Sequence, residues 1–433
     1  MKTIVDLHIH SPHARACSKD ISLENLEKFA KIKGVELLGT GDFCHPKWIQ
    51  ELKNKLTEDD TGILKTKTGF PFILQFEIAL IYSDGGKGRR VHNLVLAPDF
   101  GTVDQITEAL LKKGRVDYDG RPMFGIPCAD FVEMMKSISG DIEIIPAHAW
   151  TPWFSVFGSK SGFNSLEECF KDQSKYIHAI ETGLSSDPSM NWRLSQLDNI
   201  QLVSFSDIHS YWPWRLGREA TVLDLKELTY KNILNAIRTG EGLIETFETD
   251  PAYGKYHFDG HRFCGVSFDP KESKKIGEIC PRCQRKLTVG VLSRVEELAD
   301  RPEGFKPTGR PAFRSVIPLS EIISFSLGSD NPASRQAWEV YNKLIERFGS
   351  EFKVVFDASF EELSKTIDEK IAKNIIDIRG GKVKLLPGFD GVYGIPVFNP
   401  EDEDKLNKLR LKNMGKEFHQ NKNKKQKSLA DFK

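Results

Sequence analysis

The first 245 residues alternate short runs rich in β-branched and aromatic side chains with stretches whose apolar positions recur at helical spacing. The runs are "TIVDLHI", "VELLGTGD", "PFILQFEIALIY", "RVHNLVLAP", "IEIIPAH", "YIHAIETG" and "IQLVSFSD". This alternation predicts parallel strands joined by crossover helices, an α/β layer architecture. Residues 251–290 break the pattern with histidines and cysteines around a loop containing Gly and Lys. A mixed pattern returns over 291–400, where apolar spacing and an Asn or Ser near each start predict helices at 331–349 and 359–375. The polar residues that interrupt the strand runs carry the chemistry. His8, His10, Asp42, Glu77, His148, Glu181, Asp207 and His209 fall within or just after them, and side chains gathered at the C-terminal ends of parallel strands form an active site.

A chain of 433 residues can bury two or three cores. The pattern divides it into a barrel over 1–248, a metal-ribbon module over 249–292, a small α+β domain over 293–404 and a tail over 405–433. The 61 Lys and Arg balance the 61 Asp and Glu, so any attraction to nucleic acid must come from local patches. One such patch is the tail, where ten Lys or Arg face only Glu417 and Asp431, the composition of a solvated, disordered segment. No run of 18 apolar residues and no signal-like apolar core is present, which predicts a soluble, intracellular protein without a membrane partner. Seven cysteines then read as thiols or metal ligands rather than disulfides, with Cys17, Cys44, Cys128 and Cys169 as free thiols.

His8 and His10, two apart on a strand, turn to one side and can share a metal or bridge neighbouring ones. A lone HxH is weak evidence. Asp42 in "GTGD", Glu77 in "FEI", His148 in "PAH" and Asp207 with His209 in "SDIH" add four more strand ends to it. Glu181 is either a further ligand or a buried hydrogen-bonded carboxylate. His45 is a further ligand candidate, whereas His92 and His178 read as structural. Closely spaced divalent ions held by imidazole and carboxylate suit phosphoester hydrolysis, because they make hydroxide available near neutral pH and neutralise phosphoryl charge. No Ser or Cys nucleophile motif competes.

Residues His261, Cys264, Cys280 and Cys283 follow the spacing H-x2-C-x15-C-x2-C, which makes a closed tetrahedral zinc ribbon. His257 is an alternative ligand. Arg262, Lys274, Lys275, Arg282, Arg285 and Lys286 around these loops form either a phosphate-backbone rim or a solvated charged face. Two segments after ligands, "AWTPWFSVFG" and "SYWPWRLGRE", are rich in large rings. Trp150, Trp153, Tyr211, Trp212 and Trp214 either pack in the core or form a stacking wall for a nucleobase, with Arg215 and Arg218 near enough in sequence to meet phosphates.

The set His8, His10, Glu77, His148, Asp207 and His209 resembles the polymerase and histidinol phosphatase (PHP) superfamily over residues 1–245, which implies a distorted (β/α) barrel holding up to three metal ions. Two positions depart from that pattern. Asp42 falls in a slot usually held by histidine, and Arg15 stands where many relatives carry a ligand, so it could instead hold a phosphate. The barrel, the ribbon and the segments "RVEELADRPEGFKP" and "LLPGFDGVYGIP" together resemble the endonuclease Q family over nearly the whole chain. That resemblance implies a nucleoid-associated cytoplasmic repair endonuclease with a Zn, Mg or Mn cluster and one structural Zn. It would extrude uracil or hypoxanthine from DNA and cut 5′ to the lesion, or 5′ to an abasic site, by metal-activated hydroxide. The tail "QKSLADFK" is similar to peptides that bind the sliding clamp PCNA, with Leu429 and Phe432 filling an apolar pocket and Gln426 hydrogen-bonding beside it. Two other readings remain open. A small-molecule phosphoesterase would not need the ribbon or the clamp peptide, and a non-catalytic clamp-bound adaptor would have lost ligands.

Overall fold

The computed structural model describes residues 1–398 together with 401 and 403; the basic tail at 405–433, with Gln426, Leu429 and Phe432, lies outside them. The main body is a curled sheet of strands β1 (Lys2–Asp6), β2 (Leu37–Gly39), β3 (Pro71–Asp84), β4 (Lys87–Ala97) and β5 (Glu143–Pro146). It continues with β8 (Ala220–Asp224), β9 (Leu243–Thr249) and β10 (Ala312–Val316), in the spatial order β10-β9-β8-β1-β2-β3-β4-β5. A separate parallel pair, β6 (Ala179–Glu181) and β7 (Gln201–Val203), stands between β5 and β8. The Ala149 N–H donates to the Glu181 carbonyl at 2.9 Å and the Ser204 N–H to Thr221 Oγ1 at 3.0 Å.

The sheet is mixed rather than parallel throughout. Parallel pairing holds at β1–β2, β2–β3 and β9–β10. The strands β3 and β4 form one long antiparallel hairpin, with Asp84 opposite Lys87. Gly85 and Gly86 between them both have positive φ, 58° and 76°, which a two-residue turn matching the strand twist requires.

One core takes a side chain from each of the eight strands β1–β8: Val5, Leu37, Ile73, Leu94, Ile145, Ala179, Val203 and Leu223. The eight strands therefore face a common interior, and each buried Val, Leu or Ile there contributes about 1.5–3 kcal/mol. The helix Tyr230–Thr239 adds Ile233, Leu234 and Ile237 to the same core.

The segment expected to begin a separate domain at 293 first supplies β10 to the edge of this sheet. Helices α2 (Leu319–Ser326) and α3 (Arg335–Phe348) follow, and they pack on α1 (Leu23–Lys33) and the barrel through Phe352 and its neighbours. The single helix expected at 359–375 is two, Phe360–Ser364 and α4 (Glu369–Arg379). Asp368 restarts the helix by accepting from the Lys370 N–H at 2.9 Å, and Ser359 with Glu362 closes a capping box at the first start. Among the described residues no helix is long and apolar enough to cross a membrane.

Candidate metal centre

Three of the expected site residues stand where a strand gives way to a loop in left-handed backbone: Asp42 (φ 39°) after β2, His148 (31°) after β5 and Asp207 (47°) after β7. Such conformations are costly for residues with a Cβ and collect at functional sites. They turn the side chains toward His8 and His10, which follow β1. His10 Nε2 lies 3.1 Å from Asp207 Oδ1 and 3.2 Å from Glu77 Oε2. His8 Nε2 lies 3.7 Å from Glu77 Oε1 and 3.6 Å from Asp207 Oδ1, buried and without a hydrogen-bond partner.

Beside this group, His92 Nδ1 and His148 Nε2 approach Glu77 Oε1 at 2.8 and 3.1 Å and each other at 3.2 Å. Two groups of donors thus converge, His8–His10–Glu77–Asp207 and Glu77–His92–His148, with Glu77 common to both. Burial favours the uncharged form of every member. For Glu77 the facing His92 and Arg121 outweigh it and hold the carboxyl well below its usual range, and His209 and His8 do the same for Asp207. Burial keeps His92 neutral, pushing it down to about 4 against the pull of Glu77. Ionised carboxylates, a neutral imidazole and an orphaned buried nitrogen pointing inward are what divalent cations need, so the donor set fits them.

Other expected residues take different places. Glu181 sits behind His8, accepting from Nδ1 at 2.8 Å and from the His148 N–H at 2.6 Å. Asp42 sits behind His10, 2.9 Å from Nδ1, and its second oxygen accepts from Ser11 N–H and Oγ–H at 2.6 Å each. Both fix the ring so that Nε2 faces the centre, the way outer carboxylates orient metal-binding histidines. His209 stands at the rim, its ring 4.9 Å from that of His10.

Arg15, expected beside the cluster, is 76 % exposed and only approaches Asp119. The arginine at the site is Arg121, whose Nη1 is 2.9 Å from Glu77 Oε2. The preceding Gly120 passes so close that a Cβ there would lie 2.3 Å from Asp42 Oδ2. His92, read from sequence as structural, belongs to the cluster; no local motif marks it. His45 stacks on His13 at 4.2 Å, outside both donor groups, and His178 pairs with Glu143.

Of the aromatic candidates, Trp150 is fully buried with its Nε1–H on Asn191 Oδ1 at 2.8 Å, which makes it core. Tyr211 is also buried, against Phe29. Trp153 is half-buried and meets Tyr256 edge-on. Trp212 and Trp214 stack at 5.2 Å with rings 4° from parallel. Trp214, Arg215 and Arg218 line a cleft of about 1060 Å³ whose other walls include Arg262 and Arg282 of the ribbon and Tyr393.

Beneath the cluster two carboxyls are wholly buried, Glu219 and Glu248, the latter accepting from Thr182 Oγ1 at 2.8 Å beside Glu181. Burial pushes Glu248 up to about 8 and, with the neighbouring Glu248, lifts Glu219 well above its usual range. The folded chain therefore keeps a proton that the unfolded chain releases above about 4.5, and this part of its stability falls as pH rises through about 8. Glu248→Gln should raise the unfolding free energy relative to wild type more at pH 8.5 than at pH 6, by about 2 kcal/mol. Denaturant unfolding at both pH values checks it, and a pH-independent difference would contradict a protonated pair.

The second expected site is also assembled. His261, Cys264, Cys280 and Cys283 place one donor atom each within 4.8 Å of one another, with His261 Nδ1 3.3 Å from Cys283 Sγ. Desolvation opposes ionisation of Cys280, but the N–H groups of Cys283 and Arg282 outweigh it and draw the thiol down to about 6, toward the thiolate a metal binds. His257, the alternative ligand, is not part of this group.

Imidazoles and carboxylates grouped at the strand ends of a curled α/β sheet define a metal-dependent hydrolase, and known proteins narrow the class. The lesion-specific endonuclease PfuEndoQ from Pyrococcus furiosus superposes with a TM-score of 0.81 at 32% identity, over 94% of this chain and 99% of that one. An endonuclease Q in complex with a 27-mer duplex substrate, with an abasic lesion at the active site, gives 0.83 at 32% identity over 93% and 98%. The uncharacterised protein MJ0043 of Methanocaldococcus jannaschii is 33% identical over 299 residues, 67% of this chain; the chain spans 36% of that protein's length. The family model of the MJ0043 C-terminal domain matches residues 318–382. The class is that of metal-dependent nucleases. Within it, the chain belongs to the endonuclease Q family.

Proposed function

We propose that the chain is a DNA repair endonuclease that cuts the phosphodiester 5′ to uracil, hypoxanthine and abasic sites. One observation carries this reading: the likeness, across 93% of the chain, to an endonuclease Q holding an abasic lesion at its active site. Zn, Mg or Mn ions held by His8, His10, Glu77, His92, His148 and Asp207 would acidify water and offset phosphoryl charge. The chain's own part is orientation. Glu181 and Asp42 fix the imidazoles of His8 and His10, and Arg121, beside Glu77 and 22 % exposed, offers a guanidinium to a phosphoryl oxygen.

The cationic cleft suits the flanking strand. Arg215, Arg218, Lys255, Arg262 and Arg282 converge on it, with Lys255 Nζ 4.6 Å from the centre of the Tyr393 ring. Such a pairing of charge and ring faces suits phosphates and bases together. Trp153 and Trp212, both half-buried, are the rings for an extruded base.

The test is a panel of labelled duplexes bearing uracil, hypoxanthine, an abasic site or no lesion, incubated with the full chain and each metal, with the cut mapped at nucleotide resolution. Cutting 5′ to each lesion and sparing of the intact duplex is the expected result. Equal cutting of all four, or a cut on the 3′ side, would overturn the reading. The clamp peptide belongs to the same proposal. Leu429→Ala with Phe432→Ala should abolish capture by PCNA while short free duplexes are cut at the wild-type rate, and retained capture would remove that partner.

A further inference from the structure

The loop 210–218 leaves the cluster at His209 and carries Trp212, Trp214, Arg215 and Arg218. Its outer half is held from the C-terminal helices. Lys33 Nζ, on a fully buried side chain at the end of α1, donates to the Pro213 carbonyl at 2.8 Å and to Glu351 Oε1 at 2.6 Å. Glu351 is fully buried as well and accepts from the Leu319 N–H at 2.9 Å and from Tyr341 Oη–H at 2.8 Å, so the carboxylate belongs to the network of α2 and α3. From α3, the Trp338 ring closes on Trp212 at 5.9 Å and on Trp214 at 6.0 Å. From α2, Glu321 takes Arg215 Nη1 at 3.2 Å, its other oxygen accepting from Tyr253 Oη–H.

The inner end of the loop is anchored separately. The Gly217 N–H donates to Asp6 Oδ2 at 3.0 Å, at the end of β1. Gly217 has φ 62°, and a Cβ there would lie 2.8 Å from Lys33 Cγ, so only glycine lets the loop cross that lysine. Contacts to α2 and α3 thus fall on residues 212–215, whereas the donors of the metal cluster are fixed from the barrel.

We propose that the region matched by the MJ0043 C-terminal domain sets the position of this aromatic loop for the nucleic-acid strand, with Trp338 and Glu351 as positioning residues. The inference rests on the nuclease reading above. Trp214 and Arg215 line the cleft, and a ring or guanidinium displaced there loses hold of the strand without disturbing the cluster. A purely structural role would instead lower every property of the enzyme together.

Steady-state cutting of a duplex with an abasic site separates the two, using the full metal-loaded chain. Trp338→Ala should raise KM about tenfold, the worth of one ring–base contact, and leave kcat within about twofold. Trp338→Phe, which keeps a ring face toward Trp212 and Trp214, should restore most of the loss. Glu351→Gln, which keeps one oxygen for the Leu319 N–H but removes the charge facing Lys33 and turns an amide NH2 toward Tyr341 Oη, should raise KM in the same sense and serves if Trp338→Ala does not fold. An unchanged KM in these variants, or an equal fall in kcat and in metal content, would overturn the positioning role. If wild type itself leaves the duplex uncut, the nuclease reading fails and takes this one with it. Wild-type cutting with unchanged KM in the variants removes this one alone.

Discussion

Asp207→Asn should lower the cutting rate at an abasic site by about 10³-fold or more, while affinity for the duplex stays within about twofold. Asp207 Oδ1 faces both His10 Nε2 and His8 Nε2, at 3.1 and 3.6 Å, in a site where His209 and His8 keep the carboxylate ionised against burial. The amide is nearly isosteric but removes a formal charge from a four-donor set, and a cation feels that loss far more than a strand held by the arginines of the cleft does. His8→Ala should give the same phenotype, since the orphaned Nε2 at the centre is removed. Single-turnover cutting, anisotropy with the labelled duplex and metal analysis together check it. Wild-type rates in either variant would be incompatible with the cluster as the site of chemistry.

The other large effect is expected at the ribbon. Cys280→Ser should release one equivalent of zinc and cost about 5 kcal/mol or more of local stability, since closed zinc sites in small modules contribute about 10–16 kcal/mol of binding that is also folding energy. Cys280 is fully buried, and the N–H groups of Cys283 and Arg282 draw its thiol toward the thiolate. Hydrogen exchange should quicken over the strands Asp259–His261 and Val266–Phe268 and spare the barrel core. Unchanged zinc content would rule the assignment out.

Much of the donor cluster was legible because polar side chains gather where a strand stops, as His8, His10, His148 and Asp207 do; Glu77 lies within β3, where a carboxylate interrupting an apolar run marked it. What escaped the sequence reading has a common physical origin in pairing direction. His92 lies inside the apolar run "RVHNLVL" with no partner nearby in sequence. It reaches Glu77 because β3 and β4 are an antiparallel hairpin that sets it opposite Ala79, two residues along the same face. The "DGG" at 84–86 was a signal for that turn, and the expectation of parallel strands hid it. Arg121 comes from a loop without periodicity, so nothing local distinguished it from Arg15. Asp42 and Glu181 were recognised as part of the site, but a carboxylate in front of an imidazole and one behind it look alike in sequence. Trp150 shows the opposite failure, a large ring beside a ligand that fills the core.

The ion pair between Lys33 and Glu351 joins residues 318 positions apart. During synthesis the first helix leaves the ribosome long before its counter-charge exists, and the barrel strands are complete while that ammonium still has no carboxylate to meet. The partner of the buried Lys33 and the edge strand β10 beside β9 both come from residues 312–351. The barrel is therefore not a finished unit before residues 312–351 are made, and a chain that stops short of Glu351 leaves the Lys33 ammonium without its carboxylate.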